Sequence, residues 1–459
     1  MLPLSAFFAI ACAASPAYPV AGAAPSPAPP PVPVDTLSLG IRSDSVLHMA
    51  LGFLNGFALS EAGESAYASP APLPIHAARG NASFGLAINR EEYYRRFQVF
   101  RFLRKRDPQG LIHLVISDGW PYRQWPYSAD SAGRAEWEKT VHNWITTAVD
   151  TFGLERVQVD IFNEPESLFG QSPEQSAVDA FLAARPLSGT AYYHSWKTTV
   201  RYIRGLIPPY NRVRIVGPSL SGYHPFVREF LRTAAADSVL PDVVSWHELD
   251  NGSKRDLDRS VEDVRAAMRE YAIAERDISI NEYMDREETH NPGIAVAFFA
   301  RLESARVASA MRSCWGEDCM DGNYNGLYLR KGKSFRPRSL WWAYHWYAGL
   351  SGLLIAPTTA PPAACIGSWD PARKRLDLLY ANASSGERLP ARGIRITDIP
   401  AAMRGRFQLT TDILGASGTA EAWPRRSASG SVRVAGGGFG LEVPALGPGA
   451  VLRIRMRPE

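Results

Sequence analysis

Two glutamates stand where a chain could do chemistry. Glu164 lies in Val-Asp-Ile-Phe-Asn-Glu-Pro-Glu, after Asn163 and before Pro165. Glu282 lies in Ile-Ser-Ile-Asn-Glu-Tyr, after Asn281. Each follows a short apolar run rich in β-branched residues, so each ends a predicted strand. Two carboxyl groups facing each other across a cleft suit cleavage of a glycosidic bond. One protonates the leaving oxygen, and the other attacks the sugar or activates water. Pro165 forbids an ordinary helical or sheet continuation and fixes the turn that holds Glu164. Glu248, in Ser-Trp-His-Glu-Leu, is a rival carboxylate. Asp160 is read as pointing away from Glu164 along its strand.

The elements that must position this pair alternate. Strands are expected near 49–55 and 75–79, then at 111–117, 156–161, 213–216, 243–246, 278–280 and 308–315. Runs without polar alternation suit strands buried on both faces of a parallel sheet. Between them lie apolar stripes at helical spacing, such as Val141, Trp144, Ile145 and Ala148, or Tyr193, Trp196, Val200 and Ile203. Repeated strand–helix units imply parallel strands with right-handed crossovers. The expected fold is α/β, a (β/α)8 TIM barrel; an open doubly wound sheet is the alternative. In a barrel the catalytic groups sit at the C-terminal ends of strands. Chain order alone therefore places Glu164 and Glu282 on one face.

After residue 352 the pattern changes. Pro357, Pro361 and Pro362 mark a break. Short alternating runs separated by Gly and Pro turns follow, and read as a small C-terminal antiparallel β-sandwich. The expected division is a signal peptide at 1–24, a Pro/Ala-rich linker at 25–36, the barrel at 37–352 and the sandwich at 353–459. The leader has an apolar stretch and an Ala-Gly-Ala-Ala cleavage site but no early basic residue. It implies a secreted protein, periplasmic or extracellular. Lipid anchoring through Cys12 has little support.

Composition narrows the rest. The formal net charge is +4 over 459 residues, too small and scattered for nucleic acid as a partner. No apolar run reaches the ~20 residues of a membrane span. Cys314 and Cys319 are close enough for a local disulfide in an oxidising compartment, which leaves Cys365 over, in a buried position. No Cys and His spacing calls for a metal, and no cofactor is expected. Asn81, Asn251 and Asn382 each begin an Asn-x-Ser sequon.

With these residues in view, the chain resembles the retaining glycoside hydrolases of clan A, and within them glycoside hydrolase family 39. The resemblance rests on Asn163-Glu164-Pro165 after the fourth strand, Glu282 after the seventh, and His247 at the end of the sixth. The trailing sandwich and the segment Pro-Arg-Ser-Leu-Trp-Trp-Ala-Tyr-His-Trp-Tyr-Ala-Gly at 337–349 add to it. It covers roughly 40–459. The family usually carries Trp before Asn-Glu-Pro, Asn after it, and Thr before the second glutamate. Here those positions hold Phe162, Glu166 and Asn281. The departures leave the carboxylate chemistry intact and bear on substrate.

The resemblance implies a role for each residue. Glu164 is the general acid and then the general base. Glu282 is the nucleophile that forms a glycosyl ester. The charge on Glu282 would keep Glu164 protonated at rest. Asn163 would bond the sugar 2-hydroxyl, and His247 would lie near the nucleophile. Trp315, at the end of the eighth strand, would stack beneath the sugar. Trp120, in the aromatic segment at 118–127, would form part of a sugar-binding wall. A structural histidine, a core Trp315 and ordinary loop packing of Trp120 are the plainer readings of those three. The implied activity is hydrolysis of β-glycosidic bonds in an oligo- or polysaccharide. Alternatives are transglycosylation through the same intermediate and a catalytically silent carbohydrate-binding barrel. Sugar, linkage, endo or exo action and oligomeric state are left open.

Overall fold

A computed structural model describes residues 34–54, 73–80, 107–117, 120, 124–128, 131–168, 175–249, 253–313, 326–332, 334–436 and 438–459. The expected signal peptide, Cys12, Cys314, Cys319, Trp315, Asn81 and Asn251 lie outside these residues.

The chain opens with β1 (Val34–Ser38) and β2 (Ile41–Ser45), then enters β3 (Gly52–Leu54), β4 (Ala77–Gly80), β5 (Leu111–Val115) and β6 (Val157–Asp160). β7 (Arg214–Leu220), β8 (Val243–Glu248), β9 (Asp277–Tyr283) and β10 (Ser309–Arg312) follow. β3 to β10 pair in parallel, each with the next, and β10 pairs with β3 to close an eight-stranded barrel. The expected (β/α)8 architecture is therefore present. Its crossover helices include Ser131–Phe152, Ala191–Arg204, Phe226–Ala236, Ser253–Glu270, Pro292–Ala305 and Ser339–Ala348. Their apolar stripes, Val141, Trp144, Trp196 and Val200 among them, are buried in one core with the outward faces of the strands.

A hairpin of β11 (Tyr328–Lys331) and β12 (Ser334–Pro337) leads into the last barrel helix. The chain then forms β13 (Leu353–Ile355), β14 (Ala363–Asp370), β15 (Arg375–Asn382), β16 (Arg392–Thr397), β17 (Gly405–Leu414), β18 (Arg425–Val434), β19 (Phe439–Val443) and β20 (Val451–Pro458). Seven strands make one sheet, in the order β18-β17-β20-β15-β14-β13-β2, and β1-β16-β19 make the other. Leu37, Trp369, Leu378, Ile396, Phe407 and Ile454 fill the space between them. Cys365 is buried in the same core, where burial pushes its thiol up to about 12.

One feature departs from the expected boundaries. β1 and β2 belong to the sandwich, so 34–45 are neither linker nor barrel. The sandwich draws strands from both ends of the described chain. Two five-residue strands carry little periodic signal, and their partners lie over 300 residues away.

The sandwich sits tightly against the helix Pro292–Ala305. The Gly293 amide donates to the Gly449 carbonyl at 2.9 Å. A Cβ on Gly293 would lie 2.1 Å from the Asn382 carbonyl oxygen, so only glycine fits. Asn382 itself is fully buried. Its side-chain amide donates to the carbonyls of Glu387 and Gly447, which closes that sequon to modification. Among the described residues no helix is long and apolar enough to cross a membrane.

Candidate active site

The barrel lumen is polar at the C-terminal ends of its strands, and the reason is local. β9 bulges against β8: Trp246 pairs with Ile280, but His247 pairs with Glu282, leaving Asn281 as the extra residue. β7 bulges likewise, leaving Ser219 between the pairs Pro218–Ser245 and Leu220–Trp246, with φ of 58°. A bulge re-aims side chains that strict alternation would send to opposite faces. Consecutive residues Asn281 and Glu282 therefore both reach groups inside the barrel.

Arg79, from the end of β4, is the hub. Its guanidinium donates to Glu282 Oε1 at 2.6 Å, to Asp160 Oδ2 at 2.7 Å and to Asn163 Oδ1 at 2.6 Å. It is 1% exposed. A buried charge survives only when paired and hydrogen-bonded, and here two carboxylates serve it. Asp160 also accepts from Ser219 Oγ at 2.8 Å and from Asn281 Nδ2 at 2.9 Å. The reading of Asp160 as turned away from the site is corrected. Alternation puts Asp160, Phe162 and Glu164 on one face and so gave no ground for turning Asp160 away. Its carboxylate meets Arg79 and Ser219 inside the barrel, and it is Phe162 that leaves the pattern to pack on Trp137. Sequence reasoning missed Arg79. The signal was present, since Arg79 closes the expected second strand at a position that would be buried.

Glu164 is placed by backbone. Its amide donates to the Ser219 carbonyl at 2.9 Å, and its φ is 42°. Pro165 then begins a helical turn, Pro165–Leu168, rather than forbidding one; proline fits a first helical position. The Asn163 amide donates to Ser117 Oγ at 3.0 Å, which ties this turn to the end of β5.

His247 stands between the two glutamates. Its Nδ1 is 3.2 Å from Glu164 Oε1, and its Nε2 is 3.7 Å from Glu282 Oε1. One ligand atom from each of Glu164, His247 and Glu282 lies within 4.8 Å of the others. Such a trio could hold a cation, but Arg79 already occupies Glu282 Oε1 with a positive charge. The Glu164 side chain is 22% exposed and that of Glu282 only 2%. Glu164 thus faces the opening, and Glu282 lies deeper.

The electrostatics follow from this contact. Burial opposes charge on His247, but Glu282 and Glu164 outweigh it and hold the imidazole pKa above its ordinary value. Burial alone would raise Glu164; the neighbouring His247, aided by Arg79, brings it below the usual carboxylate value. Burial pushes Glu282 up against the pull of His247 and Arg79. These shifts favour the charged form of His247 and the anionic form of Glu164. That direction runs against the expectation of a protonated Glu164, which considered the two carboxylates without the imidazole between them.

The remaining expected residues are placed as follows. Trp120 is buried edge-on against Trp137 at 5.4 Å, and its indole N–H donates to the Gln124 carbonyl. It packs the core instead of forming a wall for sugar. Trp125 likewise meets Phe162 at 5.4 Å. Phe162 stacks on Trp137 at 5.5 Å, outside the lumen. Glu248 accepts the Trp246 indole N–H at 2.6 Å and is buried. Glu166 is buried too. Burial raises its pKa, and it accepts from Ser221 Oγ at 2.7 Å.

Comparison with known proteins adds three likenesses. The chain is 26% identical over 300 residues to a 3-O-α-D-galactosyl-α-L-arabinofuranosidase of Bifidobacterium longum subsp. longum. The match covers 62% of this chain and 25% of that protein, so the chain spans about a quarter of the relative's length. The structure of N2152 from Neocallimastix frontalis superposes with a TM-score of 0.73 at 20% identity, covering 93% of this chain and all of that one. A family 39 glycoside hydrolase from Xanthomonas axonopodis pv. citri superposes with a TM-score of 0.62 at 15% identity, covering 93% and 98%. These two likenesses are of fold, and the second has the barrel-and-sandwich plan of the family that the sequence resembles. No family model matches the chain.

Proposed function

We propose that this protein is a retaining glycoside hydrolase. Glu282 is the nucleophile, and Glu164 is the acid and then the base. The observation that carries the reading is the close approach of the two carboxyl groups, within 4.8 Å through their nearest ligand atoms. Retaining enzymes need carboxyls ~5–5.5 Å apart, whereas inverting enzymes need room for a water.

Each residue has a task in the double displacement. Arg79 holds Glu282 Oε1, which leaves the other oxygen to attack the anomeric carbon. Glu164, at the opening, protonates the leaving oxygen. Its proton comes from His247, 3.2 Å away. A sugar entering the cleft excludes water from Glu164, which favours its neutral form and draws the proton across. Once the aglycone leaves, Glu164 deprotonates the water that cleaves the glycosyl ester. Asn163, steered by Arg79, offers its amide N–H to the sugar 2-hydroxyl.

The preferred substrates are 1,2-trans glycosides. An α-L-arabinofuranoside, the linkage in the name of the Bifidobacterium relative, and a β-D-xylopyranoside share their configuration at C1, C2 and C3. One carboxylate pair serves both, so the expected β specificity and that relative's name agree at the reacting carbon. The buried Glu282–Arg79 pair favours catalysis over a silent barrel, since a binding wall does not need a nucleophile at the lumen floor.

The test is hydrolysis of an aryl glycoside panel that includes 4-nitrophenyl α-L-arabinofuranoside and β-D-xyloside, with Glu282→Ala alongside. The expected result is turnover lost in the variant and restored by azide as the glycosyl azide of inverted configuration. No turnover of any glycoside, or full activity in Glu282→Ala, would overturn the reading.

A further inference from the structure

Trp423 is the exposed large aromatic side chain among the described residues, at 56% exposure. It lies in the segment between β17 and β18 and is not loosely held. Its indole N–H donates to Glu421 Oε1 at 3.0 Å. Its ring leans on Trp342 at a centroid distance of 5.4 Å. The Trp342 indole N–H in turn donates to the Ala422 carbonyl at 2.9 Å. Glu421 is further anchored by Lys331 of β11, at 2.9 Å.

Both indole N–H groups are thus satisfied within the protein, and what faces solvent is apolar ring. Fixing such a ring costs side-chain freedom that burial does not repay here. A fixed, open aromatic face with charged groups at its edge matches the C–H face of a sugar ring, whose hydroxyls point outward to the rim.

The position is informative. The Ala422 amide donates to the Pro337 carbonyl, and Glu421 bridges Arg338, just before the last barrel helix. That helix ends where the Leu350 carbonyl meets His48, beside the start of β3. Its first turn, with Trp342, therefore stands at the opposite end of the barrel, the end that carries Glu164 and Glu282.

We propose that Trp423, with Glu421 and Lys331 at its edge, is a second carbohydrate-binding platform on the sandwich, which holds a polysaccharide chain on the catalytic side of the barrel. The proposal rests on the glycosidase reading for its choice of ligand.

The test uses the full chain in native gels cast with soluble arabinoxylan, arabinogalactan or mixed-linkage β-glucan. Wild type is expected to be retarded by at least one polymer. Trp423→Ala should weaken that retardation about five- to tenfold, the scale of one aromatic contact. Trp423→Phe should keep most of it. Turnover of the small aryl glycoside should stay within about twofold in both variants, since the platform is not at the reacting atoms. Equal retardation of wild type and Trp423→Ala, or no retardation in any gel, would overturn the platform while leaving the glycosidase reading to its own test. Tryptophan-dependent retardation without turnover of any glycoside would uphold the platform and sink the glycosidase reading.

Discussion

Arg79 and Glu282 stand 203 residues apart in the chain and 2.6 Å apart in the barrel. The guanidinium reaches Asp160 and Asn163 at the same time. One buried cation therefore links the second, fourth and seventh barrel strands just beneath the cleft. Glu282 is oriented from below, and its negative charge is matched before substrate arrives. Such preorganisation is what an attacking carboxylate requires.

Removing that cation should damage both activity and stability. Arg79→Ala leaves Asp160 and Glu282 buried without their partner. The loss of one member of a buried pair costs about 3–5 kcal/mol. Denaturant unfolding should report it. Arg79→Lys keeps the charge but not the fork, so it should fold better yet lower kcat at nearly unchanged KM. An unaltered kcat in Arg79→Lys would show that Glu282 needs no such orientation.

Glu164→Gln separates the two chemical steps. Without an acid, hydrolysis of glycosides with poor leaving groups should fall ~10²–10⁴-fold. Aryl glycosides whose phenolate leaves unaided should form the glycosyl ester faster than it breaks down. A burst of nitrophenol followed by slow turnover is the expected trace. Equal loss on good and poor leaving groups would show that Glu164 is not the acid.

His247 sets the alkaline limb. Its pKa in the folded chain lies above the ordinary 6.5, so the proton for catalysis is held to higher pH. The alkaline fall of kcat/KM should lie above 6.5 in wild type. In His247→Gln it should move to lower pH, because Glu164 alone then carries the proton. The stability sign is the same. A group with a raised folded pKa stabilises fully below its unfolded value, and that contribution fades as pH rises through the folded value. The slope of stability against pH above 6.5 should therefore flatten in His247→Gln. An unmoved alkaline limb would remove His247 from the proton path.

Gly293→Ala tests how the two domains are held together. The added methyl meets the Asn382 carbonyl oxygen, so the helix or β15 must shift. Overpacking of this kind costs about 1–3 kcal/mol. Thermal unfolding should begin earlier, while KM for a small aryl glycoside stays unchanged, because Gly293 packs on Asn382 and Gly449 of the sandwich and not on the lumen groups around Glu164 and Glu282. An unchanged melting profile would show that the interface gives way freely.

The sequence by itself determined the barrel, the trailing sandwich and the positions of Glu164 and Glu282. Those are local matters: apolar runs of strand length, helical stripes, a proline after Asn-Glu, and chain order, which sends every strand end to one face. It could not decide what surrounds the carboxylates. Arg79 and Asp160 read as ordinary charges, and only the closure of the barrel brings them together. The bulges at Ser219 and Asn281 are register shifts between strands, which no single run of residues encodes. The capture of β1 and β2 by the sandwich pairs segments more than 300 residues apart, so their short alternation carried no address. Trp120 and Trp423 make the same point in opposite directions. One tryptophan stood in an aromatic segment that promised a sugar wall, and the other in an unremarked turn. Packing buried the first against Trp137 and left the second open, because burial depends on what lies across the fold rather than on the neighbours in sequence.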